Sequence, residues 1–320
     1  MALVPGGIDD QILFFPTIRQ LHDAFPKADI DVVVDPQAKD AYQLSKLVNE
    51  VIPYSFGTSN SPADWANLLG IIRDREYEVA LTLTQNWSVG LMLWLSGVPT
   101  RLGYEGGANS LFLNRTLPRQ REQYLAGQYH DLLKGLDVPG SCPDLSLNVP
   151  QADISWAEMA RKQAGLGEQG YVLIYPGPAE SFPGKAPDAY PVESWAAILK
   201  DFRRRQPELP LVLIQTPTTF DTVAALTQQV PGLKVLQPDT LGQVAALVAG
   251  ANLVISPDSY PLYLAAALKV FALGLFGANH PSRQLPPAAG EETRFLGVVS
   301  DSGKVADISP ATVLKKIWNE

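Results

Sequence analysis

The sequence predicts an α/β protein built on parallel sheets, in two similar units with a cleft between them. Three observations carry that prediction. Short apolar runs of strand length alternate with longer amphipathic segments along the 320 residues, the pattern of helices covering a parallel sheet. The chain is longer than one core usually fills, and roughly 150 residues per domain suggests two domains. A polar stretch rich in proline and aspartate, residues 139–144 and 149–153, interrupts the alternation and sets the division at 1–150 and 151–320.

In the first half the apolar runs 2–4, 30–34, 51–54 and 79–83 read as strands, with helices beginning near Asp10, Gln37, Ser61 and Trp87. In the second half the strands are 171–175, 211–214, 235–236, 253–255 and 271–276. The first strand is short against the usual five or six residues or so, which suggests a natural start upstream of Met1. The most apolar window, 88–98, falls well below the roughly 20 residues that a membrane-crossing helix needs. It reads as a core helix, the alternative being an interfacial segment with Trp87 and Trp94 at headgroup level.

Apolar residues make up 46% and charged residues 18%, the balance of a soluble, well-packed protein rather than a disordered one. A net charge of −8 argues against a general nucleic-acid binder, which needs basic faces for phosphates. Cys142 is the single cysteine, so no internal disulfide framework or cysteine metal cluster is expected, in keeping with a reducing cytosol. Pro5, Gly6, Gly7, Asp9 and Asp10 interrupt any signal-peptide pattern, and a cytoplasmic location is expected.

The chemistry concentrates where strands run into helices. After the strand at 252–255 comes Ser256-Pro257-Asp258-Ser259-Tyr260, followed by an alanine-rich helix. Free N–H groups and a positive helix end at such a turn attract anions, nucleotide diphosphates among them. Gly6-Gly7-Ile8-Asp9-Asp10 is a second strand-to-helix turn. Asp10 there is either a helix cap or a general base that takes a proton from an acceptor hydroxyl. Lys185, beyond Tyr175-Pro176-Gly177-Pro178, is either a surface lysine or a cation for a departing diphosphate, with Ser181 nearby to assist. Asp221 opens a helix, as a cap or as a partner for ribose hydroxyls.

Asp29-Ile30-Asp31 matches a metal-binding Asp-x-Asp pattern that is common by chance, and no metal is expected. His22, His130 and His280 have no metal-ligand spacing, though His130 is placed to line the cleft. Neither a Walker loop nor Gly-x-Gly-x-x-Gly occurs, against kinases and dinucleotide oxidoreductases.

Taken in order, these motifs resemble glycosyltransferase family nine, the group of the lipopolysaccharide heptosyltransferases. They are Gly7 to Pro16, the turn Arg101-Leu102-Gly103-Tyr104, His130 in a helix ending near Gly135-Leu136-Asp137, and Pro176-Gly177 with Lys185 and Tyr190-Pro191. Asp258-Ser259 with Leu264-Ala265-Ala266-Ala267, and then Leu275-Phe276-Gly277, complete them. The resemblance implies a GT-B fold of two Rossmann-like domains and metal-independent, inverting sugar transfer from a nucleotide-sugar donor without a cofactor. The acceptor it implies is a lipid-linked envelope saccharide, met at the inner membrane face. By position Asp10 is the implied base. Gly177, Ser181, Lys185, Asp258, Ser259 and Tyr260 are implied on the donor side with Asp221 at the ribose, and Asp9, Arg101 and His130 on the acceptor side. ADP-heptose is the family's habitual donor.

Three positions depart from the family. Asp9 stands where the family has glycine before the base, Tyr260 replaces the glycine after Asp-Ser, and Tyr263 replaces a histidine. Tyr260 adds a side chain where phosphate approaches backbone, so it either stacks on a ligand or closes the site. Asp9 adds a like charge that raises the pKa of one of the pair. These departures keep two alternatives open, a family member that binds a glycan or partner without transfer, and another enzyme of the same architecture, such as a nucleotide-sugar epimerase.

Overall fold

The computed structural model describes residues 1–57, 61–167, 170–179, 188–287 and 294–319. The chain divides into two compact units, Met1–Leu145 and Ser146–Glu320.

In the first unit β1 (Ala2–Val4), β2 (Asp31–Val34), β3 (Glu50–Pro53), β4 (Val79–Thr82), β5 (Thr100–Tyr104) and β6 (Arg115–Leu117) form one sheet in the order β3-β2-β1-β4-β5-β6. Every pairing is parallel. Helices α1 (Ile8–Ala24), α2 (Pro62–Asp74), α3 (Trp87–Ser96) and α4 (Leu125–His130) belong to the same unit. Valines and isoleucines suit strands buried on both faces, and Leu3, Val33, Ile52 and Ala80 pack with Leu68, Ile72, Met92 and Leu93 of the helices.

The second unit repeats the plan. It contains α5 (Gln151–Gln163), β7 (Val172–Ile174), α6 (Val192–Arg205), β8 (Leu211–Ile214), α7 (Phe220–Gln229), β9 (Lys234–Leu236), α8 (Leu241–Ala249) and β10 (Leu253–Pro257). Then follow α9 (Tyr260–Ala267), β11 (Phe271–Phe276), α10 (Pro281–Gln284), β12 (Phe295–Val299) and α11 (Pro310–Trp318). The sheet order is β12-β11-β10-β7-β8-β9, all parallel. Counted from β7, that is the order of the first sheet. Trp195, Leu199 and Phe202 of α6 fill the core against Val172, Ile174 and Leu213.

Both halves are therefore Rossmann-like, the fold class expected. β5, β6 and β12 are strands beyond those read from the sequence. Arg101-Leu102-Gly103-Tyr104, expected as a turn, lies within β5 and pairs with β4 and β6. The helix expected near Gln37 is a 3-10 stretch, Pro36–Leu44.

The loop after β1 depends on one missing side chain. Gly6 has φ +110°, and a Cβ there would lie 2.0 Å from Asp10 Oδ2. The Gly6 N–H donates to Asp35 Oδ2 at 2.9 Å, and Asp35 Oδ1 accepts from the Phe56 N–H at 3.0 Å. Gly6→Ala should therefore destabilise the protein by about 1–3 kcal/mol, from strain and displacement of Asp10. Urea unfolding measures it, and an unchanged midpoint would show that the loop adapts.

Candidate functional site

In a doubly wound sheet, ligands meet the carboxyl edge where the strand order reverses. That point lies between β1 and β4 in the first unit and between β7 and β10 in the second. Of the sequence-predicted residues, Asp10 follows β1 and Asp258 follows β10, so these two flank the two points.

In the first unit Asp10 is the third residue of α1, one turn past Gly7, the residue that flanks the helix start. The Gly7 N–H donates to Asp10 Oδ2 at 3.2 Å, so the carboxylate does hold the helix start. Its other oxygen is occupied from far along the chain, where the Tyr129 hydroxyl of α4 donates to Asp10 Oδ1 at 2.7 Å. Burial pushes the Asp10 pKa up to about 7, with the charge of Asp9 adding to the rise. The Tyr129 and Gly7 bonds and the more distant Arg119 oppose it. Holding the helix start and being a proton acceptor near neutrality are thus compatible roles for one carboxyl.

Tyr129 is absent from the sequence reading, because nothing local marks a tyrosine 119 residues away as Asp10's partner. Its helix is buried throughout and fixed from outside. The Tyr104 hydroxyl donates to the Gln128 carbonyl at 2.9 Å, and Arg119 Nε donates to Gln128 Oε1 at 2.8 Å. His130 is buried beside Tyr129, its Nε2 has no partner among the described residues, and burial lowers its pKa.

Arg101 sits differently from the acceptor-side position the resemblance implies. It is the second residue of β5, toward the amino edge, and its guanidinium donates to the carbonyls of Val98 at 2.6 Å and Phe112 at 2.8 Å. Those bonds tie neighbouring loops together. Asp31 of the Asp-x-Asp pair is likewise engaged by its own protein. Asp31 accepts from Asn49 at 3.0 Å, from Arg75 at 2.9 Å and from the Tyr77 hydroxyl. Burial pushes its pKa up, but these bonds outweigh it and hold the carboxyl below the ordinary range. This network borders a cavity of about 870 Å³ at the amino edge of the sheet, opposite Asp10. Among the described residues no group of three or more histidines, cysteines or acids could hold a metal.

In the second unit the turn after β10 is pinned on several sides. The Asp258 N–H donates to the Leu275 carbonyl at 2.9 Å. Its buried carboxylate accepts from Asn279 Nδ2 at 2.7 Å and from the Tyr263 hydroxyl, which also reaches Gln284 Oε1 at 2.9 Å. Burial raises the Asp258 pKa, and the two bonds oppose that rise. Ser259 is buried as well, and Pro261 in the first turn of α9 offers no N–H to an anion.

Tyr260 packs against its own protein. Its ring meets that of Tyr175, beyond β7, edge-on with centroids 5.4 Å apart. The Tyr175 ring also fills the space over Gly177, where a Cβ would lie 2.3 Å from it. Two aromatic rings therefore stand at the reversal point of this sheet. Asp221 is exposed in the first turn of α7, whose flanking residue is Thr219, so Asp221 is not the cap. Ser181 and Lys185 lie outside the described residues.

The model of glycosyltransferase family 9 (heptosyltransferase) matches residues 65–307. The chain is 22% identical to the photosynthetic NDH subunit of subcomplex B 1, chloroplastic, of Arabidopsis thaliana, over 98% of this chain and 71% of that protein. It is 24% identical to lipopolysaccharide heptosyltransferase 2 of Escherichia coli K12, over 99% of this chain and 97% of that one. Its fold matches the crystal structure of a family 9 glycosyl transferase from Veillonella parvula with a TM-score of 0.80 and 18% identity, covering 99% of this chain and 96% of that one.

Because the Tyr129 bond favours the ionised carboxylate, Tyr129→Phe should raise the Asp10 pKa further above about 7. Carboxyl titration followed by NMR reads the shift, and an unmoved pKa would detach Tyr129 from Asp10. The sign for stability follows from the same group. The folded state keeps a proton between the ordinary value of 3.8 and about 7, so Asp10 costs stability progressively as pH rises through that window. Asp10→Asn should remove that dependence from the unfolding midpoint, and a variant that retains it would assign the dependence to another group.

Proposed function

The chain belongs to glycosyltransferase family 9, and from that premise we propose that it moves a sugar from a nucleotide-diphosphate donor to a saccharide of the cell envelope. The family and its heptosyltransferase relatives support glycosyltransferase activity. The observation that carries the rest is Asp10, a carboxyl at the reversal point of the first sheet, fixed through both oxygens and titrating near 7. A general base works best when its pKa lies near the working pH. In the proposed step an acceptor hydroxyl oxygen bonds to the anomeric carbon from the face opposite the diphosphate, so the configuration inverts. The bond from that carbon to the diphosphate oxygen breaks and its electron pair leaves with the diphosphate. Asp10 takes the hydroxyl proton.

The reading uses no metal. Lys185, Ser181 and the turn at Gly177 meet the charge on the leaving diphosphate, the turn at Asp258–Ser259 and Tyr260 borders it, and Asp221 receives the ribose. Heptose is the sugar that the relatives' names suggest. The proposed setting is the cytoplasm, at the inner face of the cytoplasmic membrane; no helix among the described residues is long and apolar enough to cross one.

One observation favours a second reading. The Tyr260 ring rests on Tyr175 where a donor phosphate would approach, and the chloroplast relative is named as a subunit of an assembly. A non-catalytic member that binds a glycan or protein would keep the fold and lose donor binding.

Thermal melting with ADP, UDP, GDP and their sugar conjugates separates the two, since a ligand of the folded state raises Tm. Transfer requires a rise with one nucleotide class, and no rise with any of them favours the second reading. Lys185→Ala should then weaken that nucleotide's binding, whereas equal affinity would leave Lys185 a surface lysine. Asp10→Asn should cut turnover by roughly a hundredfold or more with donor affinity retained. Equal turnover would remove Asp10 from the reaction.

A further inference from the structure

Helix α3 has an unusual surface. From Val79 through Thr100 the chain carries no charged residue. The inner side of α3 buries Val89, Gly90, Met92 and Leu93. Trp87, Leu91, Trp94 and Leu95 follow at i, i+4, i+7 and i+8, one continuous stripe on the other side. Trp87 is 56% exposed and Trp94 53%, and the stripe continues onto the neighbouring 3-10 stretch Ala108–Phe112. There the Phe112 ring lies 6.5 Å from that of Trp94, and Leu111 is 85% exposed. A helix that covers a sheet normally turns polar residues outward; this one does not.

Two arginines border this surface. Arg73 Nη2 donates to the Leu95 carbonyl at 2.7 Å, at the last turn of α3, and Arg101 holds the carbonyls of Val98 and Phe112. Main-chain carbonyls leave a guanidinium's charge un-neutralised, and among the described residues neither arginine forms an ion pair with a carboxylate. A second copy presenting the same stripe would bring these arginines no carboxylate from within it. Tryptophans beside arginines match a bilayer interface whose headgroups are anionic.

We infer that α3 and Ala108–Phe112 seat the protein on an anionic lipid surface, with the helix lying in the plane of the headgroups. Ten residues of helix are too short to cross, and an amphipathic face of this kind binds through shallow apolar burial plus charge. The inference does not rest on the transfer reading, because nucleotide binding tests one and vesicle binding the other.

The test is co-sedimentation of the full chain with vesicles of phosphatidylcholine alone, or with about one third phosphatidylglycerol, at low and high salt. Pelleting is expected with the anionic vesicles only, weakened by salt and by Arg73→Gln, and reduced roughly tenfold in the double variant Trp87→Ser, Trp94→Ser. Leu111→Asp, at a side chain that packs on little, should reduce it likewise and guards against a folding defect in the tryptophan variant. The inference is overturned by no pelleting, by equal pelleting on neutral vesicles, by variants that bind like the parent, or by a solution dimer that the tryptophan variant dissociates.

Discussion

Parallel strands whose crossover connections pass to opposite faces must part at one place, and in both units that place lies beside the first strand. The gap between β1 and β4 and that between β7 and β10 are imposed by strand order before any side chain is chosen. What fills each gap differs. In the first unit it receives a carboxyl that burial and Asp9 keep near its titration point; in the second it receives two tyrosine rings. The same architectural opening thus holds a titratable carboxyl in one half and aromatic surface in the other.

The carboxyl is an instance of local and distant constraints meeting on one group. Gly6 and Gly7 bring the backbone close enough to hold one oxygen, and no longer side chain fits at Gly6. Asp35, at the end of β2, anchors the same loop through the Gly6 N–H. In dinucleotide-binding sheets an acid at that position takes ribose hydroxyls; here each of its oxygens holds a main-chain N–H. Tyr129 then closes the second oxygen from α4, whose place is set by Tyr104 and Arg119. Position and proton affinity of Asp10 are fixed by different parts of the chain.

The central strands were legible because they are short runs of valine, leucine and isoleucine buried on both faces, as at Val32, Val33 and Val34. The edge strands β3 and β9 were legible too, whereas β5, β6 and β12 were not. Arg115-Thr116-Leu117 is short and polar and is a strand because β5 offers it a ladder, whereas the half-buried Phe295–Val299 is an apolar run like that of β11 and went unread. In the candidate site the same division holds. Asp10 and Asp258 follow strands directly and could be read from local pattern, whereas Tyr129 and Asp35 act across long stretches of chain that leave no local trace. Tyr260 was visible as a departure, but its packing on Tyr175 depends on β7 and β10 being neighbours. Arg101 misled because its motif describes a turn, while hydrogen bonding to β4 and β6 makes the segment a strand.

The uneven placement of the six tryptophans has an optical consequence. Trp195 is wholly enclosed in the second core, while Trp87 and Trp94 stand more than half in water on one helix of the first. Emission from the native protein is therefore a sum of a short-wavelength component from an apolar surrounding and a long-wavelength component from a wet one. A water-soluble quencher reaches the second and spares the first. Trp65, Trp156 and Trp318, each partly buried, emit between these extremes.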